Sequence, residues 1–281
     1  MKLGYSAWGM PKLPVDQQVD IIRRCGFTGI ELVCIPGSST DVATTDKAER
    51  KRIRKLVSDA GLTLTALDGH APHMDPDPGK RAAAFARITA GLDMAADLAG
   101  PEGPPLFVLM GYGKPDTWET DRDVIADHFR EFTRQAAARG VTIGFEFHVG
   151  QAIDRPERIH WLLDAVGSPY FRLNHDVSHL DVMGYSIPDS IRGLIEHSAH
   201  THIKDQRGRY PNHAFLTPGD GTYDYVSYLR EMDAAGYKGF ATVEISVMVQ
   251  RQPGYDPAGA AAQSYRVLTK AFADAGLEID R

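Results

Sequence analysis

The chain has 281 residues, 43 % of them hydrophobic and 24 % charged, with a formal net charge of −6. This composition suits a soluble globular protein with a sizeable core, and the negative balance gives no general attraction to a phosphate backbone. Two cysteines, Cys25 and Cys34, are too few for a disulfide scaffold and read as reduced thiols.

The first residues, Met-Lys-Leu-Gly-Tyr-Ser-Ala-Trp, read as a strand and lack the basic start and long apolar stretch of a signal peptide. No apolar run approaches the roughly 20 residues of a membrane span. A cytoplasmic protein is expected. Short apolar runs then alternate with helix-patterned segments along the whole chain. Strands are expected at residues 2–8, 29–33, 62–69, 105–111, 141–147, 171–176, 199–205 and 239–246. Between them, Phe85, Ile88 and Leu92 form one helical stripe, and Ile125, Phe129, Phe132 and Ala136 form another. Gly140, after Arg139, reads as a helix C-cap. No Pro/Gly/Ser linker divides the chain. Eight strand–helix repeats predict parallel strands joined by right-handed crossovers. The expected fold is an α/β (β/α)8 TIM barrel, with residues 1–281 as a single domain.

Strand parity assigns the faces. In 141–147 the odd positions Val141, Ile143, Phe145 and Phe147 are apolar, so they face the helices and Glu146 points inward. In 239–246 the outward set is Ala241, Val243 and Ile245, which leaves Glu244 inward. His200 and His202 share the inward face of 199–205, with His200 one step deeper as an interior histidine. Glu146, Asp176, His202 and Glu244 thus end four consecutive strands, at the barrel end where such enzymes place their sites. Three converging carboxylates repel one another unless a cation joins them. An O3N ligand set points to one divalent ion, manganese first, with magnesium, cobalt, ferrous iron or zinc as alternatives.

The strings Gly-Phe-Glu-Phe-His (144–148), Asn-His-Asp-Val-Ser-His (174–179), His-Thr-His-Ile-Lys-Asp (200–205), Pro-Gly-Asp-Gly-Thr-Tyr-Asp (218–224) and Val-Glu-Ile-Ser (243–246) resemble the sugar phosphate isomerase/epimerase superfamily. This xylose-isomerase-like TIM-barrel group includes ketose 3-epimerases, inosose dehydratase and hydroxypyruvate isomerase. Gly-Phe-Thr-Gly-Ile-Glu-Leu (26–32) matches its second strand, and the resemblance covers essentially the whole chain. It implies that Glu146, Asp176, His202 and Glu244 bind one metal and that Glu146 and Glu244 form the acid/base pair. It also implies that His179, with Arg207 or Arg209, reaches the substrate. The sequence departs from the ketose epimerases at Ala152, where they carry a substrate-binding glutamate.

Other residues read less specifically. His70 and His148 stand near the expected mouth, His148 as a candidate base. Glu31 reads as structural. Tyr5, Trp8 and Tyr112 offer an aromatic wall for a sugar ring. Gly219-Asp220-Gly221 is a poor dinucleotide fingerprint. Loops 206–221 and 247–257 are long, as lids or partner surfaces are, and Val247, Met248 and Val249 are apolar.

The reading for these residues is a divalent-metal-dependent sugar isomerase or epimerase. It abstracts a proton beside a carbonyl through a metal-stabilised enediolate. Glu146-Phe-His148 with the Met-Val-Gln-Arg loop also resembles the large subunits of 3-ketoglycoside-cleaving lyases. In that branch, or in a dehydratase, the enolate expels a β-substituent and His148 is the base. The resemblance allows a homo-oligomer or a small β-rich partner subunit. An abasic-site nuclease is disfavoured by the negative charge and the missing extra histidines. A non-catalytic sugar-binding barrel is disfavoured by the intact ligand set.

Overall fold

The computed structural model describes residues 1–280. Eight parallel strands close a barrel: β1 (Lys2–Ser6), β2 (Gly29–Val33), β3 (Thr63–Asp68), β4 (Leu106–Met110), β5 (Ile143–Glu146), β6 (Phe171–Asp176), β7 (Ser198–Ile203) and β10 (Phe240–Val243). Each pairs with the next, and β10 pairs back to β1. The remaining strands, β8 (Asp205–Arg209) and β9 (Asn212–Leu216), form an antiparallel hairpin on the way from β7 to the next helix. The helices are α1 (Val15–Cys25), α2 (Lys47–Asp59), α3 (Pro78–Asp97), α4 (Trp118–Ala137), α5 (Pro156–Val166), α6 (Val177–Val182), α7 (Ile187–Ile191), α8 (Tyr225–Ala234), α9 (Val247–Gln250) and α10 (Pro257–Ala275). Among the described residues no helix is long and apolar enough to cross a membrane.

All eight expected strands are present, but several ends differ for local reasons. Residues 2–8 do not remain extended. Ser6 Oγ accepts a hydrogen bond from Trp8 N (3.1 Å) and starts a tight turn over Ala7–Gly9. The run 199–205 splits at Lys204, because Asp205 already pairs with Leu216 in the hairpin. Helix α4 ends at Ala137 with Ala138 as its cap, so Gly140 lies beyond the cap, at φ 68°. The loop 206–221 contains most of the hairpin, and the loop 247–257 begins with α9, capped by Ser246 accepting from Met248 N.

The core has two layers. Outward strand residues such as Ile143, Phe145, Ala241 and Val243 pack under the helices. The α4 stripe of Ile125, Phe129, Phe132 and Ala136 is fully buried there. Each large member of that stripe contributes about 1.5–3 kcal/mol by leaving water. Inside the barrel the apolar filling is small: Ala66, Leu106 and Val108 form a separate cluster. Gly144 makes room for it, since a Cβ there would lie 2.3 Å from Leu106 Cδ2. The rest of the interior is polar, and it is concentrated at the C-terminal strand ends.

Candidate metal centre and its cavity

Register brings the four strand ends level. Glu146 pairs with Asn174, Asp176 pairs with His202, and His202 pairs with Thr242, two residues before Glu244. Glu146, Asp176, His202 and Glu244 each place one donor atom within 4.8 Å of all the others, and all four are buried. Three oxygens and one imidazole nitrogen around one point form a donor set for a divalent cation.

The histidine is oriented for that role. His202 Nε2 lies 2.8 Å from Glu31, and its Nδ1 faces Glu146 at 3.1 Å and Glu244 at 3.3 Å. Donation from Nε2 to Glu31 turns Nδ1 toward the carboxylates, where the Asn174 amide nitrogen also lies 3.1 Å away. Glu31 also accepts from His200 Nε2 at 3.1 Å and from the Ser6 hydroxyl. Glu31, read from the sequence as structural, is a fully buried carboxylate in direct contact with the candidate ligand His202. His200 is the hydrogen-bonded interior histidine its depth implied.

His70 bridges two acids, with Nε2 3.1 Å from Glu146 and Nδ1 3.3 Å from Asp68. Burial would raise the Glu146 carboxyl, but His202 and His70 hold it well below the usual range. Burial pushes the Asp68 carboxyl up to about 7, against the pull of His70. Burial opposes charge on His202, yet Glu31 and Glu146 raise it well above its ordinary value. A bound metal would replace that proton on Nδ1.

A cavity of about 330 Å³ opens beside the cluster and is lined by its member Glu244. Its polar side carries His70, His148, His179, His213, Lys204, Glu244 and Ser246. Trp8, Met110, Val149, Phe215, Val247 and Met248 form the apolar side. The rings of His148 and His179 stack at 3.8 Å between centroids. Both nitrogens of His179 are buried without a hydrogen-bond partner, and Nε2 stands 3.3 Å from Asp176. Burial holds the His148 imidazole well below its ordinary pKa, with His179 adding to the effect, so it is neutral at pH 7. Its Nε2 is 3.9 Å from Glu146.

Other candidates lie elsewhere. Arg207 donates to the Asp220 carbonyl and Arg209 lies 3.6 Å from Asp181; neither lines the cavity. Hairpin alternation explains this, since Gln206 turns inward and Arg207 outward. Tyr5 is on the outward face of β1, against Phe27, and Tyr112 packs edge-on to His73. Of the three proposed wall aromatics only Trp8 lines the cavity, edge-on to His70 at 5.8 Å. Ala152 is buried beside Gly113, away from the cavity lining.

The sequence reading passed over Lys204, although it shares the inward parity of His200 and His202. Its ammonium is 2.6 Å from Asp176 Oδ2 and hydrogen-bonded to Glu244 Oε2, with 2 % of the side chain exposed. Burial would lower its pKa, but Asp176 and Glu244 raise it, so the group stays charged. The neighbouring Asp205 is a clamp. Its carboxylate accepts from the backbone N–H of Gly219 (2.8 Å), Tyr223 (3.0 Å) and Gln206 (2.9 Å), tying the hairpin to the loop after it.

A closed eight-stranded barrel with buried acids and histidines at its C-terminal end agrees with the comparisons to known proteins. The chain belongs to the family described as xylose isomerase-like TIM barrel, whose pattern it matches over residues 19–271. It is 26 % identical over 272 residues to inosose dehydratase of Geobacillus thermodenitrificans, covering 86 % of this chain and 87 % of the relative. The 3-keto-D-glucoside 4-epimerase of E. coli superposes with TM-score 0.76 at 18 % identity, over 96 % of this chain and 99 % of that one. The IolI protein, solved with a bound zinc atom, superposes with TM-score 0.77 at 15 % identity, over 98 % of each chain.

Proposed function

We propose that this protein is a divalent-metal-dependent sugar isomerase or epimerase that removes a proton from the carbon beside a carbonyl. The observation that carries the reading is the convergence of Glu146, Asp176, His202 and Glu244 within 4.8 Å, with Glu244 lining a cavity of about 330 Å³. The donor set fits the cation: His202 Nδ1 is turned toward the carboxylates while Glu31 holds its other nitrogen. A divalent cation there would supply positive charge to the carbonyl oxygen as the α-proton leaves.

The chain's own residues supply the rest. Glu146 and Glu244, which both face His202 Nδ1, serve as proton acceptor and donor. The free ring nitrogens of His179 take substrate hydroxyl oxygens. Trp8, Phe215 and Met248 exclude water from the reacting face. Among the described residues the cavity lining holds no arginine, and its single lysine is neutralised by two carboxylates. A neutral sugar or keto-sugar suits that lining better than a sugar phosphate, which needs a free cationic clamp.

One observation favours a second reading, β-elimination from a 3-keto-glycoside. His148 presents a neutral imidazole to the cavity opposite the apolar Val247 and Met248, which could hold a leaving aglycone. There His148 would take the α-proton and the bond to the aglycone would break.

The test is to incubate metal-loaded protein in deuterated water with free ketoses, inososes and 3-keto-glycosides in parallel. Solvent deuterium should enter the α-position of the substrate, and Glu146→Gln or Glu244→Gln should stop it. Turnover without exchange would point to a hydride shift instead.

A further inference from the structure

Among the described residues Lys204 is the one Lys or Arg in the cavity lining, and it contacts two of the carboxylates that the metal reading assigns as ligands. An ammonium with only 2 % of its side chain exposed is costly unless it is fully paired. Its pairing comes from Asp176 Oδ2 and Glu244 Oε2, with the face of Phe215 5.7 Å beyond. The same Glu244 oxygen lies 3.3 Å from His202 Nδ1, so the lysine and the ligand histidine meet at one oxygen. A divalent cation bonded to these carboxylates and an ammonium in contact with the same oxygens repel each other, so each weakens the hold of the other.

We propose that Lys204 is a built-in stand-in for the metal: its ammonium holds Asp176 and Glu244 together in the metal-free protein and withdraws when the divalent ion binds. This rests on the metal reading above. It gives Lys204 two effects. The ammonium keeps Asp176 and Glu244 converged, so the site is ready before the metal arrives. It also opposes metal binding, because the ion must displace an ion pair to gain its ligands. The displaced ammonium moves toward Phe215 and the cavity.

The test is Mn²⁺ titration calorimetry on the metal-free parent, Lys204→Met and Lys204→Arg, with thermal unfolding of each metal-free protein. Lys204→Met removes the competitor and keeps the length of the stem. Its Mn²⁺ affinity should rise about tenfold or more, while its metal-free melting temperature falls below the parent's. Lys204→Arg keeps the charge and should bind Mn²⁺ no more tightly than the parent. An unchanged or weaker affinity in Lys204→Met would overturn the proposal while leaving the metal site in place. A parent that binds no divalent ion would instead overturn the metal reading itself. A crystal structure of the metal-loaded parent needs no variant. Nζ should lie more than about 4 Å, the limit of an ion pair, from Asp176 Oδ2; persistence of the contact would also refute the exchange.

Discussion

Glu31→Gln isolates the group that contacts His202, the proposed ligand histidine. The substitution conserves volume and leaves all four proposed ligands in place. In the parent, Glu31 accepts from His202 at 2.8 Å, from His200 at 3.1 Å and from the Ser6 hydroxyl. A glutamine has one acceptor oxygen and one NH2 group, so its NH2 meets either an imidazole N–H or a Ser6 hydroxyl that has turned round to accept. The charge that favours the Nε2–H tautomer of His202 also disappears. Changes at a ligand's hydrogen-bond partner cost about 10–100-fold in metal affinity, about 1.4–2.7 kcal/mol. Isothermal titration with Mn²⁺, checked against zinc, should show a loss in that range while the far-ultraviolet dichroism spectrum stays that of the parent. An affinity within about threefold of the parent, in a folded variant, would refute the argument that Glu31 sets the imidazole.

Three further outcomes follow from other parts of the molecule. His148→Ala should leave metal content intact; surviving ketose epimerisation would reject the lyase reading, and aglycone release that vanishes would reject the epimerase reading. His73 is fully buried, its Nε2 donates to the Met110 carbonyl at 3.1 Å, and burial lowers its pKa to about 3. The unfolded chain takes up that proton below about pH 6.5 while the folded one does not, so full stability is present above pH 6.5 and is lost toward pH 3 at up to about 1.4 kcal/mol per unit. His73→Phe should therefore cost about 1–3 kcal/mol at pH 8 by orphaning that carbonyl, and urea midpoints should show the gap narrowing below pH 6.5; a gap that stays constant with pH counts against this account. Gly221→Ala would put a Cβ 2.1 Å from Asp205 Oδ1. Overpacking of that kind costs about 1–3 kcal/mol, and an unchanged melting temperature would show that the Asp205 clamp yields freely.

Much of this was legible because the barrel repeats a simple rule. Alternation in 141–147 and 239–246 placed Glu146 and Glu244 on the inner face with no reference to neighbours. What failed was whatever depended on contacts between distant strands. Glu31 is 171 residues from His202, and its meaning lies wholly in that contact. Applied to β1, the same parity rule would have turned Tyr5 outward; it was read by residue type instead. Lys204 carries the same inward parity as His200 and His202, but only its contacts with Asp176 and Glu244 give it a role. The hairpin was hidden because Arg207, Gly208 and Arg209 have the composition of a loop. Its register is fixed by Asp205, which holds the far end of the loop at Gly219 and Tyr223.

The division of the core has a consequence for how readily the chemistry can change. The apolar plug inside the barrel comes from β3 and β4, through Ala66, Leu106 and Val108. Strands β5, β6, β7 and β10 anchor themselves through outward residues such as Phe145, Leu173, Ile203 and Val243. The inward positions that carry acids and histidines are therefore separate from the apolar packing under the helices. A lineage could exchange the occupants of this wall for another set of reacting groups while the helical jacket kept the cylinder closed, and the same shell would then serve a new transformation.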